Sequence, residues 1–153
     1  MKDSLKLGDR LVNNRLLIGT GKFSGYALMR DALEAAEPDI VTVALRRVDS
    51  GSKQENILDF IPKKCLVMPN TSGARNADEA IRIARLARAN MASDWIKIEV
   101  IQDNKYLLPD NLETLKAVEI LVKEGFVALP YMSPDLSMAK RFIDAGAACV
   151  MPP

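Results

Sequence analysis

The chain has 153 residues, of which 48% are hydrophobic and 27% charged, a balance typical of a folded domain and not of a disordered segment. Its net charge of +1 argues against a broad electrostatic attraction to nucleic acid or membranes, and the absence of histidine removes the commonest general base and metal ligand. No run approaches the roughly 18 apolar residues of a membrane span, and residues 1–6 lack the apolar stretch expected of a signal peptide.

The first part of the chain predicts a small hairpin followed by strand–helix units. In chain order the predicted elements are a hairpin over residues 1–14, a strand over 16–21, a helix over 24–36, a strand over 40–45 and a short helix over 54–60. The hairpin is expected to turn at Gly8-Asp9, and Pro62 ends the short helix. The expected apolar side of the first helix consists of Ala27, Leu28, Ala32 and Ala35.

The second part continues the alternation. It predicts strands over residues 65–68, 95–100, 126–129 and 147–151, separated by helices over 76–90, 112–123 and 135–145. Asn76 is expected to cap its helix with Glu79 as in a capping box, Asp110 or Asn111 to begin the next, and Gly146 to end the last. The expected apolar side of the helix over 76–90 consists of Ile81, Ala84, Leu86 and Ala87.

Repeated strand–helix alternation predicts an α/β fold with a parallel sheet and crossover helices. Two architectures remain open at this point, a doubly wound open sheet and an eight-stranded barrel. Functional side chains lie at the carboxyl ends of the strands in both. Polar groups follow the predicted strands at such places: Thr20-Gly21-Lys22, Asn70-Thr71-Ser72, Lys97 with Glu99, and Tyr131-Met132-Ser133.

Two charged residues, Lys97 and Glu99, interrupt an otherwise apolar predicted strand. Because side chains alternate along a strand, both share one face with Trp95, and they lie roughly 6.6–7 Å apart. An unprotonated lysine amine attacks a ketone to form a Schiff base, and a neighbouring carboxylate can move the protons of that reaction. The pair therefore predicts imine chemistry. The alternatives are a structural ion pair and a solvated edge strand.

The remaining motifs favour structural roles. Residues 19–22 contain two glycines but lack the third glycine and the acidic partner of a dinucleotide site. Residues 46–49 indicate a charged surface loop, with a strand-end arginine as an alternative ligand for phosphate or carboxylate. Cys65 and Cys149 lie in apolar runs, which favours buried thiols over a disulfide or metal pair and fits a reducing compartment.

Several longer motifs are spread in order across the chain. They are Gly19-Thr20-Gly21-Lys22-Phe23, Ala44-Leu45-Arg46-Arg47-Val48-Asp49, Pro69-Asn70-Thr71-Ser72-Gly73-Ala74, Trp95-Ile96-Lys97-Ile98-Glu99-Val100, Leu107-Leu108-Pro109-Asp110 and Leu129-Pro130-Tyr131. Together they closely resemble the thiazole synthase family of bacterial thiamine biosynthesis. The resemblance implies a TIM-type (β/α)8 barrel, of which residues 1–153 are a single partial domain, with the hairpin over 1–14 and six β/α units over 15–153. The last two strands and the substrate's phosphate-binding segments are expected beyond residue 153.

The same resemblance implies a reaction. The family forms the thiazole phosphate of thiamine from 1-deoxy-D-xylulose 5-phosphate, dehydroglycine and sulfur from a small carrier protein with a C-terminal thiocarboxylate. By motif match, Lys97 is the Schiff-base lysine and Glu99 the neighbouring acid/base. A cytoplasmic homo-oligomer with no metal or organic cofactor is implied as well. The alternatives are another Schiff-base enzyme, such as a sugar-phosphate aldolase, and a non-catalytic module that docks the carrier protein.

Overall fold

The computed structural model describes residues 4–45 and 55–153 of the chain. They fall into two compact units, Met1–Met68 (unit 1) and Pro69–Pro153 (unit 2). The charged loop expected over residues 46–49 lies outside the described residues. The assignment of the whole chain to a single domain stays a prediction.

Unit 1 contains the predicted hairpin and a pair of parallel strands joined by a helix. Its elements are β1 (Leu5–Leu7), β2 (Arg10–Val12), β3 (Leu17–Gly19), α1 (Tyr26–Ala36), β4 (Ile40–Ala44) and a 3₁₀ helix (Ile57–Phe60). β1 and β2 pair antiparallel around Gly8, whose φ of 56° lies in the left-handed region that favours glycine. β3 and β4 pair in parallel, as the strand–helix alternation predicts. The predicted start of the short helix, Gln54, lies outside the described residues.

The buried side of α1 differs from the prediction. Met29 and Leu33, one helical turn apart, are fully buried. The expected apolar set is exposed or half-buried: Ala27, Leu28, Ala32 and Ala35. Both sets satisfy helical spacing, so periodicity alone does not choose between them. The structure buries the pair with long side chains, which removes more apolar surface from water than alanines do.

Unit 2 alternates strands with helices along its whole length. Its elements are the end of β5 (Leu66–Asn70), α2 (Ala77–Met91), β6 (Trp95–Ile98), α3 (Asn111–Lys123), β7 (Val127–Pro130) and α4 (Leu136–Asp144). β5 pairs with β6 in parallel at Asn70 and Lys97, and β6 pairs with β7 in parallel from Trp95 onward. The carboxyl ends of these strands therefore meet at one edge of the sheet.

Side-chain caps begin the three helices of unit 2, at Asn76 and Asp110 as predicted and also at Asp135. Asn76 accepts a hydrogen bond from the Glu79 N–H at 2.9 Å, and Asp110 begins α3 by accepting from two backbone N–H groups at 3.0 Å. Asp135 caps α4 through the Met138 N–H at 2.7 Å. The capping box differs in one bond, because the Glu79 carboxylate accepts from the N–H of Arg75 at 2.9 Å and not from that of Asn76.

An apolar core lies between the strands and helices of unit 2. Fully buried members include Ile96 and Ile98 of β6, Leu121 of α3 and Phe142 of α4. α2 buries Ile81, Ala84 and Ala87 as predicted, together with Ala77 and Ala80. The expected burial of Leu86 is wrong, since 49% of this residue is exposed. Four buried alanines of α2 allow this helix to lie close to its neighbours.

The last predicted strand, over residues 147–151, does not form as a regular element. Only an isolated parallel bridge between Tyr131 and Met151 is present there. Backbone bonds still attach this segment to β7, with the Ala148 N–H donating to Ala128 at 2.9 Å. The apolar pattern thus places this segment correctly beside β7. It does not show whether the segment forms the continuous backbone hydrogen bonds of a regular strand. Within residues 4–45 and 55–153, no helix has the length and apolarity that crossing a bilayer requires.

Candidate active site

The pair Lys97 and Glu99 lies at the carboxyl end of β6 in unit 2. Lys97 is opposite Asn70 of β5 and Leu129 of β7, so that it belongs to the central strand of this unit. The alternate residues Ile96 and Ile98 are fully buried, as the predicted period of two requires. Lys97 and Glu99 lie on the opposite face, as predicted, because their side chains contact each other.

Lys97 and Glu99 form a short-range ion pair that is largely withdrawn from water. The Lys97 Nζ lies 3.3 Å from the Glu99 Oε1, and their side chains retain only 23% and 14% of their exposure. A charge pair at such depth is expensive to maintain, because each group loses most of its hydration. The remaining exposure of the lysine leaves part of its side chain within reach of a small molecule.

An aromatic ring forms a second neighbour of the lysine. The Tyr131 ring, directly after β7, has its centroid 5.2 Å from the Lys97 Nζ, within the range of a cation–π contact. The Tyr131 N–H donates to Ile98 at 2.8 Å, and its hydroxyl donates to the Leu107 carbonyl at 3.3 Å. Leu107 has a φ of 57°, in the left-handed region that costs a non-glycine residue about 1–2 kcal/mol. The ring is thus held at both ends.

A buried threonine holds the backbone on which the acid sits. The Thr71 hydroxyl accepts a hydrogen bond from the Glu99 N–H at 2.8 Å and donates one to the Glu99 carbonyl at 2.7 Å. Thr71 has no exposed surface. A hydroxyl can donate once and accept twice, so one side chain satisfies both backbone groups of Glu99.

Hydrogen bonds also join the two loops that follow β6 and β7. The Asn111 side chain donates to the Ser133 carbonyl at 3.3 Å and accepts from the Ser133 N–H at 2.8 Å. The Ser133 hydroxyl donates to the Pro109 carbonyl at 3.4 Å. These bonds fix the loops that carry Leu107 and Tyr131 relative to each other, which favours a preorganised site.

Three of the four predicted polar groups lie at this edge of unit 2, around Asn70, Lys97 and Tyr131. The fourth, Thr20-Gly21-Lys22, belongs to unit 1, where the Thr20 hydroxyl donates to the Thr42 carbonyl at 3.0 Å. Sequence reasoning placed Thr71 and Tyr131 after strands but gave neither a role. The available signal was their position beside the strand that carries the charged pair.

Cys65 and Cys149 are free thiols, and their surroundings indicate structural roles. Cys65 is buried, and its thiol donates to the Pro38 carbonyl at 3.1 Å. Burial raises the pKa of Cys65, and burial likewise raises the pKa of the half-buried Cys149. Both thiols are therefore held in the unreactive protonated form, in line with the structural interpretation from sequence.

The fold and the charged pair together define a class: an α/β protein with a lysine and a carboxylate at the carboxyl end of parallel strands. The family model described as thiazole biosynthesis protein ThiG matches residues 6–153. The chain therefore belongs to the ThiG family, and its fold class is α/β of the TIM-barrel type, as predicted.

Individual relatives agree with this assignment. Over 99% of its length, this chain is 60% identical to a thiazole synthase of Pelotomaculum thermopropionicum and 62% identical to one of Acetivibrio thermocellus. It spans only 59% and 60% of the length of these two relatives. Among solved structures, it is similar to the Amycolatopsis orientalis BexX/CysO complex, with a TM-score of 0.80 and 30% identity over 97% of this chain and 61% of that chain.

Proposed function

We propose that the protein is a thiazole synthase, which forms the thiazole phosphate of thiamine from 1-deoxy-D-xylulose 5-phosphate, dehydroglycine and a sulfur-carrier thiocarboxylate. The observation that carries the proposal is the Lys97–Glu99 contact of 3.3 Å at a strand end, in a chain of this family. The thiazole synthase names of relatives at about 60% identity support it. The proposal concerns the whole protein, because this chain spans only 59% of the length of the first relative.

The first step assigned to the chain is imine formation by Lys97. The Nζ lone pair attacks the ketone carbon, a C=N bond replaces the C=O bond, and the carbonyl oxygen leaves as water with the two amine protons. Lysine reacts in this way only as the neutral amine. The remaining 23% exposure of the Lys97 side chain at a strand end supports this role, because a small ketone can reach the amine there.

The second role assigned is proton transfer by Glu99. Its carboxylate lies beside the amine, so it can take the proton from the attacking nitrogen and return it to the departing hydroxyl. After the imine has formed, the same carboxylate can remove a proton from the carbon next to the C=N bond. A positioned general base of this kind typically contributes about 10²–10⁴-fold to the rate.

A protein partner belongs to the same proposal. The solved BexX structure is a complex with CysO, and the fold of this chain is similar to it at a TM-score of 0.80. The resemblance to thiazole synthases implies a small sulfur-carrier protein, and we propose that this protein takes its sulfur from such a partner. The resemblance to thiamine biosynthesis enzymes adds two further expectations, a homo-oligomeric state and a cytoplasmic location.

The imine is tested by reductive trapping. The whole protein is incubated with 1-deoxy-D-xylulose 5-phosphate and sodium borohydride, and the intact mass is measured. We expect a mass gain of one sugar phosphate minus one oxygen atom, with peptide mapping locating the adduct at Lys97. Lys97→Ala is expected to lose the adduct, whereas Lys140→Ala, at an exposed lysine of α4, keeps it.

The same assay separates the alternatives. Trapping with simple aldol substrates in preference to the deoxyketose would favour a sugar-phosphate aldolase. A carrier protein that binds in a pulldown without any trapping at Lys97 would favour a non-catalytic docking module. An adduct spread over the surface lysines with none at Lys97 would contradict both enzyme interpretations.

A further inference from the structure

The backbone of Glu99 continues past the end of a regular strand. β6 ends at Ile98, and β5 ends at Asn70, where the two strands are paired. Beyond these points the backbone N–H and C=O of Glu99 have no ladder partner in β5. The Thr71 hydroxyl takes the place of that partner, with bonds of 2.8 Å and 2.7 Å.

This side-chain contact sits between two ordinary backbone contacts. The Thr71 N–H donates to the Lys97 carbonyl at 3.1 Å, and the Ile101 N–H donates to the Ala74 carbonyl at 3.0 Å. Every second residue of the segment 97–101 is therefore bonded to the turn over residues 71–74. Only the middle contact, at Glu99, depends on a side chain, so it can be removed by a substitution that leaves every backbone N–H in place.

The middle contact also decides where the acid points. In extended backbone the direction of a side chain follows from the orientation of its own peptide groups. Glu99 presents its carboxylate 3.3 Å from the Lys97 Nζ, on the face opposite fully buried Val100. Without the hydroxyl, the partly buried N–H and C=O of Glu99 would both lose their partner, and the backbone would turn toward water to satisfy them.

We propose that Thr71 is a positioning residue, whose hydroxyl orients the backbone of Glu99 so that the carboxylate stays against the amine of Lys97. The inference rests on the proposed function for its catalytic consequence. Thr71 touches no substrate in this scheme. It acts on the rate of proton transfer through Glu99, whereas the equilibrium amount of imine depends on Lys97 and the ketose and does not require Thr71.

The test replaces the hydroxyl by a methyl group of the same size, in Thr71→Val. Thr71→Ser keeps the hydroxyl and serves as the conservative variant. Thr114→Val is a matched control, because Thr114 is also a fully buried threonine of unit 2 and its hydroxyl has no hydrogen-bond partner among the described residues. Circular dichroism verifies that each variant is folded.

The first readout needs no substrate. Amide hydrogen exchange at Glu99 is expected to be at least about tenfold faster in Thr71→Val, since that N–H loses its acceptor. Exchange at Glu99 is expected to be unchanged in Thr114→Val. Equal exchange at Glu99 in the wild type and Thr71→Val would overturn the inference, whatever the protein catalyses.

The second readout separates proton transfer from imine formation. Deuterium uptake from D₂O into the carbon beside the ketone of 1-deoxy-D-xylulose 5-phosphate measures the proton transfer, and borohydride trapping measures the imine. Thr71→Val is expected to slow uptake about ten- to hundredfold, while half-maximal trapping occurs at a ketose concentration within about twofold of the wild type. Thr71→Ser is expected to restore uptake to within about threefold.

Other outcomes are also decisive. A parallel loss of trapping and uptake in folded Thr71→Val would show a general structural role and contradict the inference. If Thr71→Val does not fold, Thr71→Cys carries the test, because a thiol is a weak donor and acceptor and should give an intermediate loss of uptake. Wild-type uptake in Thr71→Cys would overturn the inference. Absence of trapping in the wild type would instead refute the proposed function, and the exchange readout would still decide the role of Thr71.

Discussion

The two units of the chain place carboxylates in different surroundings. In unit 1, Asp39 accepts backbone N–H groups from Asn13 and, at 3.0 Å, from Asn14. These donors, Asn14 first, lower the pKa of Asp39. In unit 2, Glu99 directs its carboxylate at the amine of Lys97 and bonds to its surroundings through its own backbone.

The difference teaches how a structural carboxylate is told from a reactive one. The Asp39 Oδ2 accepts from two consecutive backbone N–H groups, and the Asn14 side chain extends this network by donating to the Ala36 carbonyl at 2.8 Å. In contrast, the Thr71 hydroxyl holds the backbone of Glu99, so the Glu99 carboxylate oxygens stay available for a proton. A carboxylate whose backbone is fixed by another side chain is therefore the better candidate for acid–base chemistry.

The largest effect is expected when the carboxylate of Glu99 is replaced by an amide of the same shape. Glu99→Gln preserves size and hydrogen bonding but cannot accept a proton at its amide. Deuterium uptake next to the ketone should fall about 10²–10³-fold. The amount of adduct trapped at Lys97 after equilibration with the ketose should remain within about threefold, because a proton-transfer group changes the rate of imine formation and not its equilibrium. Glu119→Gln, at an exposed position of α3, is the control and should change neither rate. Full uptake in Glu99→Gln would remove Glu99 from the mechanism.

A stability change in unit 2 should come next in size. Gly146 has a φ of 93°, and a Cβ added there would lie 2.8 Å from the Val122 Cγ1. Gly146→Ala should lower the free energy of unfolding by about 2–4 kcal/mol, from left-handed strain and the clash together. Gly125→Ala isolates the strain, because Gly125 has a φ of 84° and no atom within 4 Å of an added Cβ. It should cost about 1 kcal/mol in urea unfolding. Equal costs would contradict the clash.

The smallest effect is expected from the carboxylate of unit 1. Asp39→Asn removes the charge that the two backbone N–H groups favour, and it should lower the free energy of unfolding by about 1 kcal/mol at pH 7. The pKa of Asp39 is lowered in the folded state, so its contribution is complete above the ordinary aspartate pKa and is lost as the pH falls through the lowered value. The difference between wild type and variant should therefore vanish in strong acid.

The control for this comparison is Asp31→Asn on α1. Asp31 pairs with Arg30 at 3.7 Å, but both side chains are roughly half or more exposed, and surface pairs of this kind contribute little. We expect a change within about 0.5 kcal/mol at every pH. A pH-independent loss in Asp39→Asn would show that the amide, not the missing charge, is responsible.

Much of the framework could be predicted because its causes are local. The predicted caps Asn76 and Asp110 each bond to a backbone N–H two or three residues away, and such contacts can be inferred from sequence spacing. The shared face of Lys97 and Glu99 follows from strand alternation in the same way. The buried side of α1 was predicted wrongly because two apolar sets fit one period, and the neighbours of a helix choose between them.

The sequence by itself determined the alternation of strands and helices, the starts of the helices in unit 2 and the candidate lysine–carboxylate pair. Periodicity and capping act over a few residues, so the order of residues contains them. Only the tertiary structure brought the Thr71 hydroxyl to the backbone of Glu99, 28 residues away, and placed the Tyr131 ring beside Lys97. Contacts of this separation depend on which strands become neighbours, and no local pattern encodes that choice.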